Sequence, residues 1–285
     1  MSISRTIQLP DGAEIPALGQ GTWWMGDDAD LRHQEIEALR RGVELGLTVI
    51  DSAEMYGDGK SEALVGEAIA GCRESVFLVS KFLPNHAAGK ELQQSLEQSL
   101  QRLNTDYLDL YLLHWRGHTP LQQTVQDLEQ LCAEGVIKRW GVSNFDVCDM
   151  QELLACEGGE NCQVNQVLYH LGSRGVEFDL KPFLVEHHIP LIAYSPLAQA
   201  GRLREEVLAS DTLRQVADEH DADPFQIMLA WSIRDHHTLA IPKSANVVHV
   251  ERNAKAGLIE LSETQLQMLD QAFMPPSHKM PLDII

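Results

Sequence analysis

Basic charge is scarce in this chain: 22 lysines and arginines stand against 42 aspartates and glutamates, a formal net charge of −20 over 285 residues. A surface that acidic disfavours nucleic acid and anionic membranes, which are bound through clustered cations. It also makes any local basic cluster informative, since an anionic ligand would need one. Long apolar runs are absent too, none approaching the roughly 20 residues of a membrane span. The start, Met1-Ser-Ile-Ser-Arg-Thr-Ile-Gln8, lacks the apolar core of a secretory signal. The expectation is a cytoplasmic protein with no membrane partner. The five cysteines (Cys72, Cys132, Cys148, Cys156 and Cys162) are scattered and show no C-x-x-C spacing. That excludes a disulfide framework and a structural zinc site, and no metal is expected. No G-x-G-x-x-G follows the first strand, which counts against a doubly wound dinucleotide fold. No linker, charge block or low-complexity segment marks a second domain, so residues 1–285 read as one. With no apolar stripe left over for a partner, a monomer is the default.

What is present is a repeated grammar. Hydrophobic residues make up 44 % of the chain, enough for a large core. Residues 5–16 carry Pro10-Asp-Gly12 between two short apolar stretches, the pattern of a β-hairpin. Thereafter short β-branched or leucine-rich runs alternate with stretches of helical spacing. Strands are expected near 17–24, 48–51, 76–81, 107–114, 139–144, 162–169, 190–195 and 238–244. Helices are expected near 31–45, 61–70, 91–103, 121–134, 146–155 and 177–188. Two more fall near 212–220 and 224–233, and a final two near 247–256 and 263–273. Strand ends recur mostly at about thirty residues, the length of one strand plus one helix. Eight such units in strict alternation predict an α/β fold of the (β/α)8 barrel type, with the N-terminal hairpin and two extra helices.

In such barrels the chemistry sits at the C-terminal ends of the strands. There the apolar runs give out into Asp51 and, in the following loop, Tyr56; into Lys81; and into His114. A free phenol, with a pKa of about 10, is a poor acid at neutral pH. A lysine ammonium about 4 Å away would favour the phenolate by up to roughly 4 kcal/mol at an effective dielectric of about 20. Lys81 in that place, held protonated by Asp51, predicts Tyr56 as a proton donor tuned towards working pH. His114 is suited to hydrogen-bond a carbonyl oxygen. None of the four donates a hydride, so a reduction would require a bound cofactor. Taken singly each has a structural reading: a cap, a buried ion pair, a packing aromatic, a satisfied rim residue. Spacing alone does not separate the two.

Beyond these residues the chain resembles the aldo/keto reductases over essentially its full length. The resemblance is carried by Gly19-Gln-Gly-Thr-Trp23, Asp51-Ser-Ala-Glu-Met-Tyr-Gly57, Ser80-Lys81, Leu113-His-Trp115 and Gly141-Val-Ser-Asn-Phe145. Asn165-Gln166, Ala193-Tyr-Ser-Pro-Leu197 and Ile241-Pro-Lys-Ser244 complete it. It implies a catalytic tetrad of Asp51, Tyr56, Lys81 and His114, and NADPH, with NADH as the alternative, lying across the top of the barrel. By the same resemblance Tyr194 stacks on the nicotinamide, and Ser143, Asn144 and Gln166 hold its carboxamide. Gly21 and Thr22 lie near the ribose, and Ser195 with Leu197 near the pyrophosphate. Lys243 and Ser244 meet the 2′-phosphate, and Asn253 the adenine. Where relatives commonly carry a phosphate-clamping arginine this chain has His249, with Arg252 one turn along as a replacement. Discrimination against NADH is therefore expected to be weaker. Ser52 stands where threonine is common, a change of little consequence.

Within the family the likeness runs to bacterial reductases of methylglyoxal and similar short carbonyls. Trp23 and Trp115, beside Trp24, are expected to wall the substrate pocket. A short loop after His114 and a tail of only 274–285 suggest an open site for small aldehydes and dicarbonyls. Two other readings remain at this level. One is a non-catalytic, cofactor-binding barrel of the kind that accompanies some channels. The other is a barrel aldolase with Lys81 as Schiff-base nucleophile, which would require a lysine of depressed pKa.

Overall fold

The computed structural model describes residues 5–199 and 201–285. The hairpin is there: β1 (Thr6–Gln8) pairs antiparallel with β2 (Glu14–Pro16). Its inward residues Ile7, Leu9 and Ile15 are buried. Its turn is tied to the chain just ahead of two barrel strands. Asp11 N–H donates to Gln163 Oε1, and Arg139 Nε donates to Asp11 Oδ2 at 2.6 Å. The hairpin therefore caps the N-terminal mouth and leaves the other mouth clear.

Eight parallel strands form the barrel. They are β3 (Gln20–Gly21), β4 (Val49–Asp51), β5 (Phe77–Phe82), β6 (Leu110–Leu113), β7 (Trp140–Ser143), β8 (Asn165–Leu168), β9 (Leu191–Tyr194) and β10 (Thr238–Ala240). They are bonded in sequential order from β3 to β10. Nearly every strand residue is buried, the signature of strands covered on both faces. The barrel closes through single bridges, Leu18 to Ala240 and Gly21 to Lys243, with Gly21 N–H donating to Pro242 O at 3.1 Å. At this seam a Cβ on Gly21 would stand 2.7 Å from Ile241 O, so only glycine allows the approach.

The helices form the outer ring. They begin α1 (Arg32–Glu44), α2 (Lys60–Ala68), α3 (Gly89–Leu103), α4 (Leu121–Glu134), α5 (Val147–Leu154) and α6 (Leu180–Glu186). In α3 the leucines at 92, 96 and 103 are buried, as the spacing predicts. Asp146 caps α5 through a reciprocal capping box with Asp149. Between β9 and β10 the sequence predicts two helices and the structure has three: α7 (Arg202–Leu208), α8 (Asp211–Glu219) and α9 (Pro224–Ser232). The unexpected one, α7, buries only Val207, too narrow a stripe to read from periodicity. Finally come α10 (Val247–Ala256) and α11 (Glu263–Ala272). All five cysteines are free. Among the described residues no helix is long and apolar enough to cross a membrane, and no cluster fits a metal ion.

Candidate active site

Asp51 is the last residue of β4, Lys81 the fifth of β5, and His114 follows β6 directly, so adjacent parallel strands deliver all three to the C-terminal mouth. Tyr56 comes from the loop after β4. Lys81 Nζ donates to Asp51 Oδ2 at 2.7 Å, to Ser52 O at 2.8 Å and to Tyr56 Oη at 3.1 Å. All three ammonium hydrogens are thus used, in a site where Lys81 is fully buried. Burial alone would lower the Lys81 pKa, but Asp51 and Tyr56 reverse that and hold it above the ordinary lysine value. A lysine so held is not a Schiff-base nucleophile.

For Tyr56 the sequence expectation of a phenol tuned down by Lys81 is not met. Burial pushes its pKa above 10, and Asp51 adds to that; Lys81 pulls the other way and loses. The reason is that burying the phenolate costs more than the nearby Lys81 charge returns, and Asp51 offsets part of that return. The phenol therefore stays protonated through neutral pH. His114 packs edge-on to the Tyr56 ring, with centroids 5.8 Å apart. Burial first, and Lys81 second, lower its pKa to about 2, so the imidazole is neutral. Its Nδ1 is buried with no hydrogen-bond partner among the described residues.

Three of these four groups line a cavity of about 970 Å³. Asp51, Tyr56 and His114 share it with Trp23 and Trp115. Ser143 ends β7, Asn144 follows it, Gln166 lies in β8, and Tyr194 ends β9, all on the same wall. Gly21, Thr22, Ser195, Leu197 and Lys243, also expected at the cofactor, line it too. Hydrogen bonds tie this wall to the tetrad. Gln166 Nε2 donates to Asp51 Oδ1 at 2.8 Å, Asn144 Nδ2 to His114 O at 3.1 Å, and Tyr194 Oη to Asn144 Oδ1 at 2.9 Å. Non-glycine residues with left-handed backbone gather here: Trp24 (φ 66°), Asn144 (57°), Ser195 (50°) and Ala198 (55°). Such strain concentrates where side chains must be aimed. Lys243, exposed and in no ion pair among the described residues, is a free cation at the cavity in a strongly acidic chain.

Four predicted contacts lie off the cavity. Ser244 precedes α10 and bonds Asn246; His249 is exposed in the first turn of α10. Asn253 is buried in that helix. Arg252 is engaged with Asp223 at 3.5 Å, beside a second, smaller hollow, and does not take the His249 place. The tail also departs from expectation. Although short, it returns to the site: Lys279 bridges Asp146 and Asp179, Asp283 accepts from Ser173, and Ile284 and Ile285 line the cavity. The mouth is thus narrowed by the tail, with Trp24 and Met55 exposed beside it. Arg116 and Arg204 also line it. Sequence reasoning passed over both arginines and the tail, because nothing local in the chain shows that they return to the barrel mouth.

The comparisons agree with this geometry. The sequence pattern of the aldo/keto reductase family matches residues 17–273. The chain is 52 % identical over 281 residues to methylglyoxal reductase YeaE of Escherichia coli, covering 99 % of each. It is 33 % identical to a glyoxal reductase of Bacillus subtilis, over 94 % of this chain and 93 % of the other. Among solved structures, an aldo/keto reductase of Klebsiella pneumoniae in complex with NADP and acetate superposes with a TM-score of 0.96 at 51 % identity, covering 99 % of each chain. With its barrel, its strand-end tetrad and these relatives, the chain belongs to the aldo/keto reductase family.

Proposed function

We propose that this protein, acting as one barrel domain, reduces small aldehydes and ketones of the methylglyoxal type to alcohols with NADPH. The observation that carries the reading is the Asp51–Lys81–Tyr56 chain of hydrogen bonds opening, beside a neutral His114, into a cavity. The relatives that reduce methylglyoxal and glyoxal support the substrate class.

NADPH, when bound, supplies the hydride. The residues present suit it: a carboxamide-sized polar wall in Ser143, Asn144 and Gln166, and the Tyr194 ring fixed by its bond to Asn144. Gly21, Thr22, Ser195 and Leu197 line the remaining walls, and Lys243 offers a cation for the 2′-phosphate, with Ser244 and Asn253 further along. Tyr56, protonated at working pH, gives its phenolic proton to the carbonyl oxygen as negative charge develops there. Lys81, 3.1 Å from the phenolic oxygen, stabilises the phenolate left behind, and Asp51 keeps the ammonium charged and aimed. The neutral His114 donates one N–H to the same carbonyl oxygen and sets its angle. Trp23 and Trp115 wall the pocket, with Ile284 and Ile285 closing its outer side.

The test is carbonyl-dependent oxidation of NADPH and of NADH by the purified protein across aldehydes, ketones and dicarbonyls, with the alcohol product identified. Turnover of methylglyoxal with NADPH is expected. NADPH binding without turnover of any carbonyl would favour the cofactor-binding barrel instead.

A further inference from the structure

The residue across the mouth from Asp51 has a geometry that the carboxamide contact alone does not explain. In the closed ring of eight strands β4 and β8 stand four places apart, on opposite sides. Gln166 on β8 nevertheless reaches Asp51 on β4, Nε2 to Oδ1 at 2.8 Å, with both residues almost wholly buried (1 % and 2 % exposed). A carboxylate only accepts, so the amide nitrogen must face Asp51, and Oε1 is left to the cavity. Asp51 thus has one oxygen on Lys81 and the other on Gln166.

We infer that Gln166 is a positioning residue for the tetrad, holding the Asp51 carboxylate in the rotation that keeps Lys81 against Tyr56, whether or not cofactor is bound. This inference rests on the reductase reading above. Its physical basis is donor counting. Among the described residues the only other donor brought to the Asp51 carboxylate is Lys81 Nζ, whose three hydrogens already serve Asp51 Oδ2, Ser52 O and Tyr56 Oη. Without Gln166, Oδ1 becomes a buried acceptor with no partner, and the nearest remedy is to draw Lys81 towards it and away from Tyr56. Tyr56 would then lose the cation that stabilises its phenolate.

The test begins on the cofactor-free protein, with fluorotyrosine incorporated and the Tyr56 resonance assigned by its loss in Tyr56→Phe. In Gln166→Met the Tyr56 midpoint is expected to rise by about half a pH unit or more, and kcat to fall about tenfold at saturating NADPH and carbonyl. An unchanged midpoint, with the loss confined to NADPH affinity, would reduce Gln166 to a carboxamide contact and overturn the inference. A second variant covers a poorly folding first. In Gln166→Glu the introduced carboxyl faces Asp51, whose other oxygen holds Lys81, in a cavity that Tyr56, His114 and Tyr194 also line. While it shares a proton with Asp51 it restores the bond; once that proton is lost the two carboxylates repel. Its kcat relative to wild type is therefore expected to fall as pH rises, whereas a pure acceptor for a carboxamide would work as well ionised, and a flat ratio would overturn the inference. If the wild type turns over no carbonyl, the reductase reading falls, and the titration still decides the role of Gln166.

Discussion

The barrel holds two clusters of tyrosine, lysine and carboxylate, and only the first lines the cavity at the barrel mouth. In the first, Lys81 Nζ lies 3.1 Å from Tyr56 Oη and is paired with Asp51. In the second, Lys181 Nζ lies at the same 3.1 Å from Tyr169 Oη, and Tyr169 donates to Glu177. There the resemblance stops. Tyr169 is fully buried against Trp231, takes a further bond from Arg234 at 2.9 Å, and stands away from the barrel-mouth cavity. The lysines differ in sign as well: Asp51 lifts Lys81 above its ordinary value, while burial, helped by Arg234, lowers Lys181. The same three side chains make the proposed proton donor at one strand end and a structural knot at another. What separates them is access for a substrate and whether the lysine belongs to one carboxylate or to a crowd of charges.

Tyr56→Phe should cut kcat for carbonyl reduction by about 10³-fold, the scale of a lost general acid, with cofactor affinity kept. Tyr169→Phe should leave kcat within about twofold and lower unfolding free energy by roughly 1–3 kcal/mol in denaturant titration, since it removes the buried hydroxyl that bonds Glu177, Lys181 and Arg234. Lys81→Met should lower kcat by about 10²-fold, whereas Lys181→Met should register as a fall in melting temperature with little change in rate.

The comparison extends to pH. Because the Tyr56 pKa lies above 10, reduction should hold steady through neutral pH and decline only in strong alkali, visible as the basic limb of kcat/KM. Stability should move in the opposite range. The folded-state pKa of His114 is lowered to about 2, and that of His170 to about 4, so each takes up a proton on unfolding below its ordinary 6.5. Their contribution is complete above pH 6.5 and is lost as pH falls below it, by up to about 1.4 kcal/mol per pH unit for each histidine. His114→Gln should remove one such increment, seen as a flatter fall of melting temperature between neutral pH and pH 4. The smallest effects belong to the outer end of the cavity. Lys243→Met should weaken NADPH binding about tenfold and leave NADH unchanged, and His249→Arg should tighten NADPH a few-fold.

The sequence made the barrel legible because strands covered on both faces read as uninterrupted apolar runs, and the proposed tetrad legible because Asp51, Lys81 and His114 stand where such runs end, with Tyr56 in the loop just after. Three things were not legible. The Tyr56 pKa depends on burial, which a pair of residues in a sequence does not reveal, so the pull of Lys81 was overrated. The Gln166–Asp51 bond joins residues 115 apart across a barrel whose closure at Gly21 is itself tertiary. The tail is short by count, yet Lys279 and Asp283 tie it back so that Ile284 and Ile285 reach the site. Length alone had suggested an open mouth.

The measurement that tests the central claim most directly is kcat for methylglyoxal at saturating NADPH in wild type, Tyr56→Phe and Tyr169→Phe, with NADPH affinity measured on the same preparations. The account predicts that turnover collapses in Tyr56→Phe alone while all three bind NADPH alike. Comparable loss in both variants, or undiminished turnover in Tyr56→Phe, would contradict it.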